Sequence, residues 1–422
     1  MSASKLFVEV DMNTYIGPGA AKHLSSFCAL RSKGSRIRIV ADRNTWKAMG
    51  EEVEQKLRSA GLATRSTIYE EQYLAADAES IFRLLVDDDP EERLYVAVGS
   101  GTITDIVRFA THRTGRAFVS MATAPSVDAY ASIVAPVVVE GMKRTVPAQA
   151  PVAVFADSEA LARAPRAMIA AGFGDMICKF SAVADWRMGA LVWGEPFDEA
   201  IARRSVEAAK ACVDAAAAIG ETKPEGLATL MAAVVESGLC MAEAGHSRPA
   251  SGAEHQYSHF WEMRLLLENR PPVLHGLKVG IGTIEAARLW DIVRGISRDR
   301  AAELLRASRL PDRAAEERKI RAAYLGAAEE TIAAQSRFLG MSEADYEALK
   351  AKLLEHWDDI QSFVRSVPSE EETRRLLELA GCPTDARKLG LGRKEIAQSI
   401  ACAHYIRDRF TVKKLCRMLG VS

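Results

Sequence analysis

The chain has 422 residues, 48% of them hydrophobic and 26% charged, with a formal net charge of −1. This is globular composition, long enough for two domains that each bury a core. The charge balance argues against nucleic acid or an anionic membrane as the main partner, while local basic groups could still receive an anion.

The start of the chain, through a strand-like Lys5-Leu-Phe-Val8, has no charged segment followed by a long apolar run, so no export signal is expected. No uncharged apolar run long enough to span a bilayer is expected either. Short β-branched runs then alternate with helical periodicity: strands at 36–41, 63–69, 94–98, 118–121 and 152–155, helices at 45–62, 76–86 and from 102 towards 111. The alternation predicts a parallel sheet with helices on its faces. Beyond residue 158 Ala, Leu, Glu and Arg dominate, and helices are expected at 200–219, 227–244, 301–305, 314–338 and 342–357. Ser342 before Asp345, and Ser369 before Glu372, are N-cap signals. The composition shift divides the chain into an α/β domain, 1–162, and a helical domain, 163–422. Seven irregularly spaced cysteines without a CxxC read as buried thiols in a reducing compartment, so the protein is expected to be cytoplasmic.

Three stretches carry chemistry. Val96-Ala-Val-Gly99-Ser-Gly101-Thr-Ile-Thr-Asp105 is a strand, a Gly turn and a helix start, a shape whose backbone N–H groups can approach a pyrophosphate. Thr104 stands where G-x-G-x-x-G has its last glycine, so a tight turn without a ligand fits as well. Asp42, after the strand at 36–41, either accepts from a ribose diol, which favours NAD, or caps the next helix. Three of the eight histidines, His255, His259 and His275, fall close together. His255 and His259, four apart, share one face of a helix. Two imidazoles and one carboxylate suffice for a divalent metal and leave coordination positions open. Asp175, after Gly172-Phe-Gly174, reads as that carboxylate or as an N-cap; His275 reads as a ligand or as a helix-start imidazole satisfied by backbone. His23, His112, His246, His356 and His404 read as surface or structural, Phe260 and Trp261 as core. Glu262 reads as orienting a histidine or as a surface ion pair.

Four blocks in order are Gly99-Ser-Gly-Thr-Ile-Thr-Asp105; Thr123-Ala-Pro-Ser126-Val-Asp128-Ala-Tyr-Ala-Ser132; Lys143-Arg-Thr-Val-Pro147 with Gly172-Phe-Gly-Asp175-Met; and Ser247-Arg-Pro-Ala-Ser-Gly-Ala-Glu-His255 onward to His275-Gly276. Together they resemble the sn-glycerol-1-phosphate dehydrogenases, the bacterial branch in particular. That family lies in the iron-type alcohol dehydrogenase, glycerol dehydrogenase and dehydroquinate synthase superfamily. The resemblance implies a Rossmann-like α/β domain followed by an all-α domain, with the active site in the interdomain cleft. It implies that Asp175, His255 and His275 bind one divalent metal (zinc, nickel or iron), and that Asp128, Asp175 and His259 contact the substrate as catalytic residues. NAD(H) or NADP(H) would be lined by Gly99, Gly101, Thr102, Ile103, Thr104, Asp105, Thr123, Ala124, Pro125, Ser126 and Ser132.

The implied activity is the metal-requiring interconversion of dihydroxyacetone phosphate and sn-glycerol 1-phosphate by hydride transfer. Alternatives are a polyol or glycerol dehydrogenase acting on an unphosphorylated or different phosphorylated substrate, and a dehydroquinate-synthase-like cyclase. The expected partner is a small phosphorylated molecule, not nucleic acid or membrane, with a homo-oligomer such as a homodimer as a possible assembly. His259 is the candidate for relaying the alcohol proton, because an unperturbed imidazole titrates near neutral pH. Asp128 would hold a second hydroxyl. Lys143, Arg144, Lys179, Arg248 and Lys278 are candidate cations for a phosphate.

Overall fold

The computed structural model describes residues 13–32, 34–139 and 142–421. The strand-like run at 5–8 and the side chain of Lys143 lie outside the described residues. The chain forms two compact units, 1–176 with 211–243, and 177–210 with 244–422.

The first unit is built on strands β1 (Thr14–Ile16), β2 (Arg36–Asp42), β3 (Thr64–Tyr69), β4 (Glu92–Gly99) and β5 (Ala117–Ala122). A hairpin, β6 (Val134–Val139) with β7 (Met142–Pro147), precedes β8 (Ala153–Ala156). Six strands make one all-parallel sheet in the order β1-β8-β5-β4-β2-β3, and β6-β7 pair antiparallel apart from it. Side chains alternate between two cores because a strand has period two. Ile37, Ile39, Ala41, Val96 and Val98 face the helices Ala20–Arg31 and Glu51–Ser59. Val40, Tyr95 and Ala97 face the helices Ala78–Val86 and Gly101–Thr114 and the hairpin. From β2 the chain moves outward to β3, and from β4 it moves the other way to β5 and β8. The gap between the ends of β2 and β4 is therefore the switch point where open α/β sheets hold ligands.

The expected strands from 36 to 155 are present within two residues at every end. The short β1, the first helix and the hairpin were not anticipated. The helix expected at 45–62 contains a π turn, Trp46–Gly50, where a Cβ on Gly50 would stand 2.5 Å from the Trp46 ring. The composition boundary at 162 differs from the compact units, which place 163–176 and 211–243 with the sheet. Small residues explain this. A Cβ on Gly172 would stand 1.6 Å from the Pro125 carbonyl oxygen, and one on Gly238 2.9 Å from the Ala131 nitrogen. Only glycine lets those helices approach the backbone so closely.

The second unit is helical around one large core that includes Met188, Phe260, Trp261, Trp290, Trp357 and Leu415. Its expected helix at 314–338 is broken instead into Arg313–Tyr324, a 3-10 turn Leu325–Ala327, Ala328–Ala334 and Ser336–Leu339. The break falls at Leu325, which has φ of 49°. Both cap signals hold: Ser342 and Asp345 form a reciprocal capping box, and Ser369 Oγ accepts from Glu372 N–H. All seven cysteines are buried thiols. Two helical stretches that do contain charged residues nonetheless approach membrane length and hydropathy. Arg166–Trp193 and Pro224–Ala244 are long and apolar enough by composition, but 83% and 61% of their most apolar windows are buried within the protein. Their apolarity serves packing.

Candidate active site

In the first unit, Asp42, Gly99 and Thr123 follow or end β2, β4 and β5, which are neighbours in the sheet. Thr123 N–H donates to the Gly99 carbonyl at 3.1 Å, tying two of these ends together. Gly99 makes the turn possible, since a Cβ there would stand 2.6 Å from Ile103 Cβ. Helix Gly101–Thr114 starts at Ser100 with no side-chain cap. Its first N–H groups and dipole are thus available to an anion. Asp42 is a cap, as its alternative reading held: Oδ1 accepts from Asn44 N–H at 2.8 Å and Thr45 N–H at 2.9 Å. Gly101, Thr102 and Asp105 are partly exposed, whereas Ile103 and Thr104 are 1% exposed and face the core.

Asp105 binds Arg108 Nη1 at 2.8 Å, and the fully buried guanidinium also donates to the carbonyls of Ala129, Tyr130 and Val134. This clamp shapes the loop that carries Asp128. Tyr130 supports the same loop by donating to the Ala124 carbonyl at 2.5 Å. Ala124, Ser126 and Ser132 are buried, and Ser132 Oγ accepts from Val134 N–H at 3.1 Å. Asp175 is not an N-cap. It lies inside helix Arg166–Ile177, three residues after Gly172, and its Oδ2 accepts from Asp128 N–H at 3.1 Å. Asp128 Oδ2 in turn accepts from Ser237 Oγ at 3.0 Å.

In the second unit, helix Ala253–Leu267 carries His255 and His259, and His275 begins helix His275–Arg294. A Cβ on Gly282 would stand 2.4 Å from the Glu254 carbonyl oxygen, so glycine sets how closely the two helices pack. The three imidazoles converge. Ring centroids lie 5.8 Å apart for His255–His259, 5.3 Å for His255–His275 and 5.4 Å for His259–His275. His259, Glu262 and His275 offer donor atoms within 4.8 Å of one another, as do Cys178, Glu254 and His255. Imidazole, carboxylate and thiol donors at this spacing suit a divalent transition metal.

The second donors of the histidines separate their roles. Glu254 Oε1 lies 3.0 Å from His255 Nδ1 and accepts from Gly252 N–H at 2.5 Å. Burial opposes ionisation of Glu254, but these contacts hold it below the ordinary carboxylate range. An ionised carboxylate only accepts, so His255 Nδ1 carries the proton and Nε2 keeps its lone pair. His259 differs. Its Nδ1 lies 3.5 Å from Glu262 Oε2, and its Nε2 lies 3.4 Å from Arg407 Nη2. Both ring nitrogens are occupied by protein. Burial pushes the His259 imidazole down to about 3, so it is neutral at physiological pH, contrary to the expectation that it titrates near neutrality.

Several of these groups were missed in the sequence. Glu254 sits beside His255, and that adjacency was the one available signal. Asp185 accepts from Ala253 N–H at 2.7 Å and Val412 N–H at 2.6 Å, fixing the start of the histidine helix to the C-terminal segment. Arg407 reaches His259 across 148 positions of sequence, for which no local pattern exists. Phe260 and Trp261 are core residues, and Glu262 does orient a histidine.

Residues 15–165 match the family model for iron-containing alcohol dehydrogenases. A glycerol-1-phosphate dehydrogenase [NAD(P)+] of Geobacillus thermodenitrificans is 33% identical over 89% of this chain and 85% of its own. One from Bacillus velezensis is 41% identical over 66% and 71%. A solved structure described as a probable glycerol dehydrogenase from Sinorhizobium meliloti superposes with a TM-score of 0.59 at 19% identity, covering 93% of this chain and 89% of that one, a likeness of fold.

Proposed function

The chain belongs to the glycerol-1-phosphate dehydrogenase family of iron-type alcohol dehydrogenases, and from that premise we propose that it interconverts dihydroxyacetone phosphate and sn-glycerol 1-phosphate with NAD(H) or NADP(H) and a divalent metal. The carrying observation is the convergence of three imidazoles in the second unit, with His259 engaged by Glu262 at Nδ1 and by Arg407 at Nε2.

In this reading His255 and His275 hold the metal with Asp175, which the family resemblance supplies as third ligand. When bound, the metal provides Lewis-acid polarisation of the substrate oxygen, and the nicotinamide provides or takes the hydride. The chain's own groups do the rest. Glu254 fixes the His255 tautomer so that Nε2 keeps the lone pair a metal would take. His259, neutral and held by Glu262 at Nδ1, would meet the substrate hydroxyl at Nε2 in exchange for Arg407, its Nδ1 proton passing to Glu262 as Nε2 takes the substrate's. Asp128, anchored by Ser237, orients a second hydroxyl. Gly99, Gly101 and the uncapped helix start receive the dinucleotide pyrophosphate, and Asp42 the adenosine ribose.

The test is a direct assay of dihydroxyacetone phosphate, dihydroxyacetone and glycerol with both forms of NAD and NADP, using metal-reconstituted protein. Dihydroxyacetone phosphate should be reduced at least about tenfold more efficiently than dihydroxyacetone, the effect of one charge-assisted hydrogen bond to phosphate. Equal efficiency would favour a polyol dehydrogenase. A product that a stereospecific coupling enzyme scores as the 3-phosphate would defeat the proposal.

A further inference from the structure

Two guanidinium groups of the C-terminal segment meet at one hydroxyl. Arg407 Nη1 and Arg409 Nη2 both donate to Ser247 Oγ, at 3.1 and 2.9 Å. Arg407 Nη2 lies 3.4 Å from His259 Nε2, and Arg409 Nη1 donates to the Ser251 carbonyl at 2.8 Å. All these acceptors are neutral. Nearby acids are committed elsewhere: Glu195 to Arg248, Asp408 to Lys414 at 2.8 Å, Glu262 to Lys278 at 3.1 Å, and Glu254 to His255. Among the described residues, no carboxylate lies within ion-pair distance of either guanidinium.

Guanidinium groups stay charged in proteins, so two of them sharing one acceptor repel. Burial, and then the charges of Arg407 and Arg248, push Arg409 well below the usual guanidinium range. Both arginines remain partly exposed, so a solute can reach them. The cations expected from the sequence are placed less well. Lys179 is fully buried against the Ala250 carbonyl, Arg248 binds Glu195 and the Phe410 carbonyl, and Lys278 is buried on Glu262. Arg144 is exposed on β7 of the hairpin.

We propose that Arg407 and Arg409 form the receptor for the substrate's phosphate, a dianion seated beside His259. The assignment rests on the phosphorylated-substrate reading above and names the side chains that select for it. A guanidinium has five N–H donors in a planar fork that matches phosphate oxygens. With two contacts made by each arginine, three donors on each remain for the ligand. Because Arg407 also touches His259, a phosphate held here would set the position of the rest of a three-carbon substrate relative to that imidazole.

The test is titration of inorganic phosphate into the full-length, metal-loaded protein by calorimetry, with Arg407→Gln and Arg409→Gln alongside. The parent should bind phosphate, and each variant should bind it about tenfold more weakly or worse. Arg409→Lys, which keeps the charge and loses the fork, should fall between. In parallel, the ratio of kcat/KM for dihydroxyacetone phosphate over dihydroxyacetone should drop about tenfold or more in Arg409→Gln. Thermal unfolding and NADH binding identify any variant that fails to fold, in which case Arg409→Lys decides. A parent that binds no phosphate, or folded variants that bind it as the parent does, overturns the assignment. The two readings fail separately. A parent that prefers the phosphorylated ketone while its variants keep that preference refutes the arginine receptor alone. A parent that binds phosphate through these arginines without preferring the phosphorylated ketone supports the receptor and refutes the substrate reading.

Discussion

Gly172→Ala tests whether close backbone contact builds the first unit's part of the site. The added Cβ would stand 1.6 Å from the Pro125 carbonyl oxygen, a backbone atom that cannot rotate away. Reaching ordinary contact at 3.4 Å requires helix Arg166–Ile177 and the 123–128 loop to separate by almost 2 Å. The Asp128 N–H to Asp175 hydrogen bond, 3.1 Å long and buried, joins the same two segments and would break. Overpacking of this kind costs about 1–3 kcal/mol, and loss of a buried hydrogen bond about 1 more. The unfolding midpoint should fall by on the order of 5–10 °C. Gly295→Ala is the control, since its Cβ would meet nothing nearer than 3.5 Å at an ordinary φ of −80°. Differential scanning calorimetry reads the stability, and fluorescence titration of NADH reads the loop. An unchanged midpoint and NADH affinity in Gly172→Ala would refute the packing argument.

Three further outcomes are expected. His275→Ala should lose bound metal by elemental analysis, and chelation should abolish turnover of the parent; full metal content in the variant sinks the ligand assignment. Asp42→Ser retains a capping oxygen but removes the carboxylate, so it should narrow a preference for NADH over NADPH with little loss of stability. A parent that prefers NADPH leaves Asp42 only its cap. His404, buried on Arg417, is held well below its ordinary range by burial and then by neighbouring cations. The unfolded chain therefore takes up this proton first, so the associated stability is present above about pH 6.5 and lost as pH falls below it. Stability should therefore decline as pH falls from 7 to 5, and His404→Gln should flatten that decline in unfolding midpoint. Parallel declines in the two proteins would count against this.

What the sequence reveals follows from how local each cause is. The strands β2 and β4 are legible because short runs rich in Ile and Val end at Asp42 and Gly99, and the cap at Ser342 because both partners lie within three residues. The three histidines stand out because a helix face and a helix start gather them within some twenty positions, a spacing the rings' convergence reflects. The Gly172–Asp175 stretch misleads for the opposite reason. A Gly pair suggests a turn, yet the glycine here answers to a carbonyl 47 positions away and stays helical. The break at Leu325 falls at an exposed leucine with a positive φ, and the adjacent Gly326 is the one local signal for it. His259 also misleads: its residue type suggests titration near neutrality, but burial, with Arg407 opposing any gain of charge, removes it.

The C-terminal segment shows the limit most clearly. Residues 403–412 carry no motif, yet Val412 N–H meets Asp185, whose other oxygen holds the start of the histidine helix. Thr411 meets Gln256 on that helix at 3.1 Å, and Arg407 and Arg409 converge on Ser247 just before it. One segment thus fixes where the helix begins and supplies the charges beside His259. A change there should act on the orientation and charge of the imidazoles without touching a metal ligand. Asp185 is the link on which this depends. Its carboxyl is pushed far above the ordinary range by burial and by Glu254, so its pairing with two backbone N–H groups is what keeps a polar group at full burial. Asn at this position would keep an oxygen for one N–H and misplace the other, and buried polar groups left unmatched cost about 1–3 kcal/mol each. The histidine helix start and the Arg407–His259 contact should therefore loosen together, because both hang on the same side chain's two oxygens.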